Sequence, residues 1–258
     1  MERDTALSVV MPVLDEAPTI AARLEALHDL RASGAQVVVV DGGSADSTVA
    51  IARAFADIVI TAPRGRASQM NAGAAAATGA VLLFLHADAR LPARAGELIE
   101  EVLGTDPPRS RDGRHRGPAY HWGRFDVRID SRRPVLRMVS AAMNWRSHLT
   151  GIATGDQAIF VRRTLFDSVG GFPDIALMED IALSRALRRS GRPARIRECV
   201  FPSPRGWEQR GAWRTIVLMW RLRLAYRFGA DPRELAVRYG YQPREHAAPA
   251  GAPHRRSG

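Results

Sequence analysis

Three short stretches carry residues whose types and spacing can do chemistry: PVLDE at 12–16, DGGSAD at 41–46 and HAD at 86–88. Each follows an apolar run that reads as a strand, at 7–13, 37–40 and 81–85. In the third, alternation along an extended chain puts His86 and Asp88 on the same side, and Pro92 blocks easy continuation of the strand. A carboxylate so placed either accepts hydrogen bonds from a ligand or ends the strand as a turn former and helix cap. One acidic strand end needs no ligand to explain it. Three on one rim mark a functional cluster, because open α/β sheets bind ligands outside the carboxyl ends of their strands. Gly42 and Gly43 let a bound group approach the backbone closely.

The elements that must hold these residues alternate in type. The spacing of Ile20, Leu24, Leu27 and Leu30 predicts a helix over 19–31, entered through Pro18. Further helices are predicted over 47–55 (capped by Asp46 or Ser47), 67–77 and 94–103, with a strand at 58–60. Apolar strands alternating with helices predict a mostly parallel sheet covered on both faces. Residues 106–121, with proline, glycine and arginine but no apolar periodicity, read as a mobile loop. Beyond it the chain reads as strand (123–130), helix (134–146), strand (158–161) and helix (179–190). A helix rich in Trp, Leu and Arg follows at 212–228, and the tail from Gln242 reads as disordered. Internal repeats are absent.

A length of 258 residues suits one α/β domain with elaborations or two small domains. A hydrophobic fraction of 46% allows a sizeable core. Net charge is +10, and the basic residues are arginines, whose planar fork matches phosphate and carboxylate. A nucleotide, nucleic acid or anionic lipid fits that excess, as does the arginine enrichment of a high-GC genome. Aromatic residues are not interleaved with the basic ones, so no stacking platform for single strands is indicated, and nucleic acid is not expected as a partner. The single cysteine, Cys199, excludes an intrachain disulfide framework and thiolate metal clusters and suits a reducing cytosol. The N-terminus has the wrong layout for a secretory signal, and no apolar run approaches the ~20 residues that span a bilayer. The expected location is cytoplasmic. The helix over 212–228 either lies on anionic lipid at the inner face of the membrane or packs against the body of the protein or a second subunit, as in a homodimer.

VVMPVLDE, VVVVDGGSADST, GRASQMNAGAAAATG, FLHAD and MEDIALSRAL occur in the order expected of a family 2 glycosyltransferase with the GT-A fold, and the resemblance covers residues 5–200. Within that family the chain resembles a compact bacterial subgroup with HAD at the metal position, associated with arsenosugar biosynthesis. The resemblance implies an α/β GT-A fold: a mostly parallel nucleotide-binding sheet flanked by helices, with C-terminal helices. It implies one domain over 1–241, with a nucleotide-sugar half at 5–104, an acceptor half at 122–205, C-terminal helices at 212–241 and a tail at 242–258. The implied activity is inverting transfer, of hexosyltransferase type, from a nucleotide-sugar donor (a UDP-sugar) to the hydroxyl of a small-molecule or lipid-linked acceptor, with Mn²⁺ or Mg²⁺.

Carried onto this sequence, the resemblance assigns Pro12, Glu16, Asp41, Gly43, Arg66, Asn71 and Ala87 to the nucleotide, with Asp41 facing the base or ribose. Asp46 caps the next helix. Arg66 stands at a helix start that favours anions, or is simply solvated there. Asp88 is the metal ligand, the remaining sites being filled by phosphate oxygens and water. His86 departs from the family's first Asp. Imidazole suits Mn²⁺ better than Mg²⁺, or the ring holds ribose or a water. Asp180 matches the family's general base, and Glu179 beside it joins the donor and acceptor residues. Both also suit the helix dipole. Asp156 would hold the donor sugar or acceptor. Arg205 and Trp207 resemble an Arg-Trp motif that reaches the diphosphate and acceptor, although here Gly206 intervenes. A nucleotidyltransferase would carry a glycine-rich basic loop where this chain has PVLDEAPT. A nicotinamide site is disfavoured because no G-x-G-x-x-G follows the first strand. The standing alternative is a non-catalytic nucleotide-binding or membrane-docking protein with the same fold.

Overall fold

The computed structural model describes residues 7–104 and 120–241. Eight strands form one sheet: β1 (Leu7–Val13), β2 (Gln36–Asp41), β3 (Ile58–Thr61), β4 (Val81–Phe84), β5 (Ala89–Arg90), β6 (Trp122–Val127), β7 (Phe160–Arg162) and β8 (Ala194–Pro202), in the order β3-β2-β1-β4-β7-β6-β8-β5. The first half is wholly parallel, β1 pairing with β2 and β4, and β2 with β3. β7 then runs antiparallel to both β4 and β6, so the parallel pattern expected from the apolar strands stops there. β8 lies parallel to β6, and β5 closes antiparallel on β8.

The helices are α1 (Ile20–Glu25), α2 (His28–Ala32), α3 (Thr48–Ala52), α4 (Arg66–Ala76), α5 (Ala95–Leu103), α6 (Pro134–Thr150), α7 (Arg163–Ser168), α8 (Glu179–Leu187), α9 (Arg205–Arg210), α10 (Ala212–Arg227) and α11 (Pro232–Tyr239). The helix expected over 19–31 is two, because the chain turns at Ala26–Leu27 and drops Leu27 into the core. The helix begun at 134 runs four residues further than its periodicity suggested, to Thr150, and stops at Gly151 in the left-handed conformation. β5, β8, α7 and α9 were not anticipated, whereas α11 falls within the C-terminal helices expected over 212–241. Most of the loop expected over 106–121, and the whole tail from Gln242, lie outside the described residues.

Period-two alternation sorts the parallel strands onto two cores. Val9, Met11, Val37, Val39 and Leu83 face one side with α1 and α5. Val10, Val38, Val40, Leu82 and Phe84 face the other, against α4 and α7. Gly73 sets the depth of α4: a Cβ there would lie 2.3 Å from Val10 and 2.8 Å from Val40, so only glycine lets the helix sit this low on β1 and β2. Farther along the sheet, the register between β6 and β8 jumps from Phe125–Ile196 to Asp126–Cys199, leaving Arg197 and Glu198 unpaired. Around that bulge Asp126, almost fully buried, is gripped by Arg124 at 2.5 Å and Arg195 at 2.7 Å.

The C-terminal helices pack from one face only. Leu222 of α10 meets Leu235 and Ala236 of α11 and Leu177, Met178 and Ile181 around the start of α8. Among the described residues no helix is long and apolar enough to cross a membrane.

Candidate active site

The loops after β1 and β2 are laced into one rim. The Asp15 N–H donates to Ser44 Oγ (2.9 Å), the Ala45 N–H to Asp15 Oδ1 (2.8 Å), the Glu16 N–H to Thr48 Oγ1 (2.8 Å) and the Ala17 N–H to Asp46 Oδ2 (3.1 Å). Asp46 also accepts from the Thr48 N–H at 2.9 Å, although Ser47 and not Asp46 stands at the N-cap of α3. Asp41, buried at the end of β2, accepts the N–H groups of Gly43 (2.8 Å) and Ser44 (3.0 Å), so its carboxylate shapes its own loop first. Behind the rim the buried Gln69 amide donates to the carbonyls of Val13 (2.9 Å) and Val40 (2.8 Å), clamping the two strand ends together. Pro12 lies opposite Val40 in β1, and the Glu16 carboxylate accepts from Thr19 Oγ1 at 2.8 Å. Gly43 is exposed at the tip with φ of 91°.

The HAD segment meets a turn brought in from the far half of the chain. Thr154 and Gln157 cap a short 3₁₀ turn, Gly155–Gln157, whose first residue lies flat against the His86 ring. A Cβ on Gly155 would stand 2.5 Å from His86 Cε1 and Nε2, so the ring occupies the space that any side chain there would need. His86 Nδ1 lies 3.5 Å from Asp156 Oδ1. The surrounding protein works to raise the Asp156 carboxyl, but the His86 bond and the charges of His86, Arg66 and Arg223 hold it below the usual carboxylate range. Ala87 is buried. Asp88 is half-buried, and its carbonyl accepts from the Ser203 N–H at 3.1 Å, just after β8.

α8 supplies two carboxylates facing different ways. The chain enters through Met178 in the left-handed conformation. Asp180 Oδ2 then accepts the Gly155 N–H (2.8 Å), joining Asp180 to the His86–Asp156 group. Glu179 is buried on the other side with Arg66, Tyr239 and Tyr241. Burial, then the charge of Asp180, pushes its carboxyl up to about 7, with Arg66 opposing. Arg66 is ringed by protein yet solvent-accessible. Desolvation acts against its charge, but Glu179, Tyr239, Asp156 and Asp180 outweigh it and raise its pKa.

Sequence reasoning missed Arg146 on α6 and Arg223 on α10. Each has a buried Nε without a hydrogen-bond partner. Burial and then the Arg223 charge push Arg146 down to about 10, opposed by Asp180 and Asp156, and burial likewise lowers Arg223 against the same two carboxylates. The available signal was an arginine one position after the buried Leu222, on the inward side of α10.

Three further residues assigned to ligands lie as follows. The Asn71 amide donates to the Phe172 carbonyl (2.8 Å) and accepts its N–H (2.9 Å), so both its ends fasten α4 to the loop before α8. Trp207 packs among Ile129, Leu136, Val139 and Ala212 instead of standing open for stacking. Arg205 is exposed at the start of α9, its N–H donating to Ser203 Oγ at 3.2 Å.

A divalent ion can be tested against these donors. Among the described residues no three His, Cys, Asp or Glu side chains gather into a metal cage. No hydrogen bond to the Asp88 carboxylate is present among the described residues, so its oxygens are open to a hard cation that brings most of its ligands from a diphosphate and water. The donor set fits a shared ion and not a protein-enclosed one.

A parallel half-sheet with an acidic rim, continued by a reversed strand that brings further carboxylates to it, is the GT-A fold of glycosyltransferases. The chain belongs to glycosyl transferase family 2, whose model matches residues 8–165. It is 30% identical over 178 residues to a PGL/p-HBAD biosynthesis glycosyltransferase of Mycobacterium bovis, a match covering 64% of this chain and 62% of that relative's length. Two solved structures share the fold. The mannosyltransferase PcManGT of Pyrobaculum calidifontis, in complex with GDP-Man and Mn²⁺, aligns over 92% of this chain and 66% of its own with a TM-score of 0.56 and 23% identity. Glucosyl-3-phosphoglycerate synthase of Mycobacterium tuberculosis, with Mn²⁺, UDP and phosphoglyceric acid, aligns over 87% of this chain and 78% of its own with a TM-score of 0.59 and 19% identity.

Proposed function

We propose that the protein is an inverting glycosyltransferase that moves a sugar, of hexosyl type, from a UDP-sugar to an acceptor hydroxyl. The observation that carries this reading is the joining of Asp180, Gly155, Asp156 and His86 into one group, two residues along the chain from Asp88 and its carboxylate. Asp180 takes the proton of the acceptor hydroxyl, and the oxygen attacks C1 of the donor sugar. The C1–oxygen bond to the diphosphate breaks, and its electron pair leaves with the nucleoside diphosphate. Attack opposite the leaving group inverts the configuration. Asp156 orients donor or acceptor hydroxyls, and Arg66 and Arg223 keep it ionised to do so. The Asp41 loop receives the base and ribose, and Arg205 serves as a diphosphate contact. Asp88 holds Mn²⁺ or Mg²⁺, which when bound neutralises charge building on the diphosphate. Residues 5–104 then serve the donor and 122–205 the acceptor, in a cytoplasmic protein. The HAD motif aligns the chain with the bacterial subgroup associated with arsenosugar biosynthesis, which suggests acceptors of that class among the first to try.

A panel of UDP-, GDP- and dTDP-sugars, scored by thermal shift with and without Mn²⁺, tests the donor half of this reading. Metal-dependent stabilisation by UDP-sugars, lost in Asp88→Ala while the fold persists, is expected. Equal stabilisation in excess EDTA, or an unaffected Asp88→Ala, removes the metal role. No response to any nucleotide sugar removes the function.

A further inference from the structure

Among the described residues, the exposed large apolar side chains are Met138, Trp145 and Leu149 on α6, Trp213, Val217, Trp220 and Leu224 on α10, Phe228 just after it, and Val237 on α11. The rest of the described surface shows none. At 100° per residue, positions 213, 217, 220, 224 and 228 fall within an arc of about 80°, and positions 138, 145 and 149 within about 40°. Trp213, Trp220 and Phe228 are 70–80% exposed, far more than packing within the fold leaves open.

The two helices run the same way. Leu136 and Val139, early in α6, pack with Ala212 and Ile216, early in α10, and Arg146 and Arg223 feel each other's charge further along. With that alignment the contact face lies to one side of the stripe on α6 and to the opposite side on α10. Both stripes therefore turn to the same flank. Their combined sequence contains six arginines (137, 146, 214, 221, 223 and 227) and no aspartate or glutamate. Arg214 and Arg221 are exposed beside the α10 stripe and make no ion pair among the described residues. They line, with Arg238, an open groove of about 630 Å³ whose apolar wall includes Val217, Leu224 and Phe228.

We propose that this face docks onto an anionic bilayer, the tryptophans, Leu224 and Phe228 entering the interface and Arg214 and Arg221 binding lipid phosphates. Tryptophan favours the membrane–water boundary. An apolar stripe with an arginine flank is the pattern of a helix lying in the plane of the interface. A second copy of the chain is the other occupant to consider, but pairing this face with itself would bring the arginines of α6 and α10 together with no carboxylate on either helix to meet them. The surface does not depend on the transfer chemistry, although it places Arg146 and Arg223, on the inward side of the same helices, between the bilayer and the catalytic carboxylates.

The test is co-sedimentation of the full chain with phosphatidylcholine vesicles, with and without about one-third phosphatidylglycerol, at physiological ionic strength. Binding to the anionic vesicles, with a blue shift of tryptophan emission, is expected. Trp213→Ala/Trp220→Ala and Arg214→Glu/Arg221→Glu should each weaken binding about tenfold or more, while the thermal shift with donor stays that of the wild type. A failure of donor binding in every form would count against the transferase reading and leave this one standing. Wild-type protein that stays in the supernatant with anionic vesicles overturns the proposal. So does binding indifferent to lipid charge and to Arg214 and Arg221. A dimer in sedimentation velocity that Trp213→Ala/Trp220→Ala dissolves, without vesicle binding, assigns the face to a second copy instead.

Discussion

Gly155 holds the space into which the His86 ring packs, and that single contact fixes where the imidazole meets Asp156. Gly155→Ala should displace the ring by about an ångström and lower turnover by about 10²-fold, with a far smaller change in melting temperature. Steady-state kinetics against a thermal melt checks this, and a Gly155→Ala enzyme of wild-type turnover would disconnect His86 from the chemistry. The two carboxylates of α8 separate by their neighbours. Asp180→Asn should cut turnover by about 10²–10⁴ with donor affinity kept, as calorimetry with the nucleotide sugar would read, whereas Glu179→Gln should act on stability. The Glu179 carboxyl is raised in the folded protein, so the fold binds its proton more tightly than the unfolded chain does. Stability is then lost as pH rises from the ordinary glutamate range to about 7, by at most about 3 kcal/mol. Glu179→Gln, never charged, should out-melt the wild type at pH 8 and match it near pH 4. Identical melts at pH 8 would mean that Glu179 is ionised there without cost. His86, Asp88, Asp156 and the Glu-Asp pair were legible in the sequence because strand ends and helix starts announce themselves. Arg146 and Arg223 were not, since an arginine on a helix reads as a surface residue until the helix has a neighbour.

Strand recognition failed where alternation was polar. β1, β2 and β4 are apolar on both faces and stand out from the sequence. β8 alternates buried Ala194, Ile196 and Val200 with Arg195, Arg197 and Glu198, and its bulge shifts that rhythm midway. One of those arginines is half of the grip on Asp126, a pairing invisible until β6 and β8 lie together. Both arginine bonds and charges hold the Asp126 carboxyl low against the burial that would raise it. Asp126→Ala strands a buried Arg124 and should cost about 3–5 kcal/mol, read as a lower midpoint in urea unfolding. An unchanged midpoint would mean that Arg124 finds water once Asp126 is gone. Asn71 carries the same lesson. The resemblance assigned it to the nucleotide, and the structure uses its amide, like that of Gln69, to tie elements to one another.

Across the whole molecule, the net charge of +10 is not spread evenly in kind. The rim after β1 and β2 is acidic, while the charged residues of α6 and α10 are arginines. The far end of the described chain returns to the start of α4, where Arg64 lies 6.0 Å from the Tyr241 ring centre and Tyr239 and Tyr241 close over Arg66 and Glu179. The hydrogen bond from Ser203 to the Asp88 carbonyl is part of the same closure, and β5 beside it pairs only with β8. During synthesis the four parallel strands leave the ribosome early and can pair at once, whereas the Asp88 carbonyl waits for its hydrogen-bond donor until Ser203 emerges. At ordinary elongation rates that interval is on the order of 10 s. Through it the nascent protein carries a half-formed sheet with an open edge and an HAD segment not yet tied to the end of β8, so the period in which a chaperone or a protease meets this chain is set by how far apart residues 88 and 203 lie in the message.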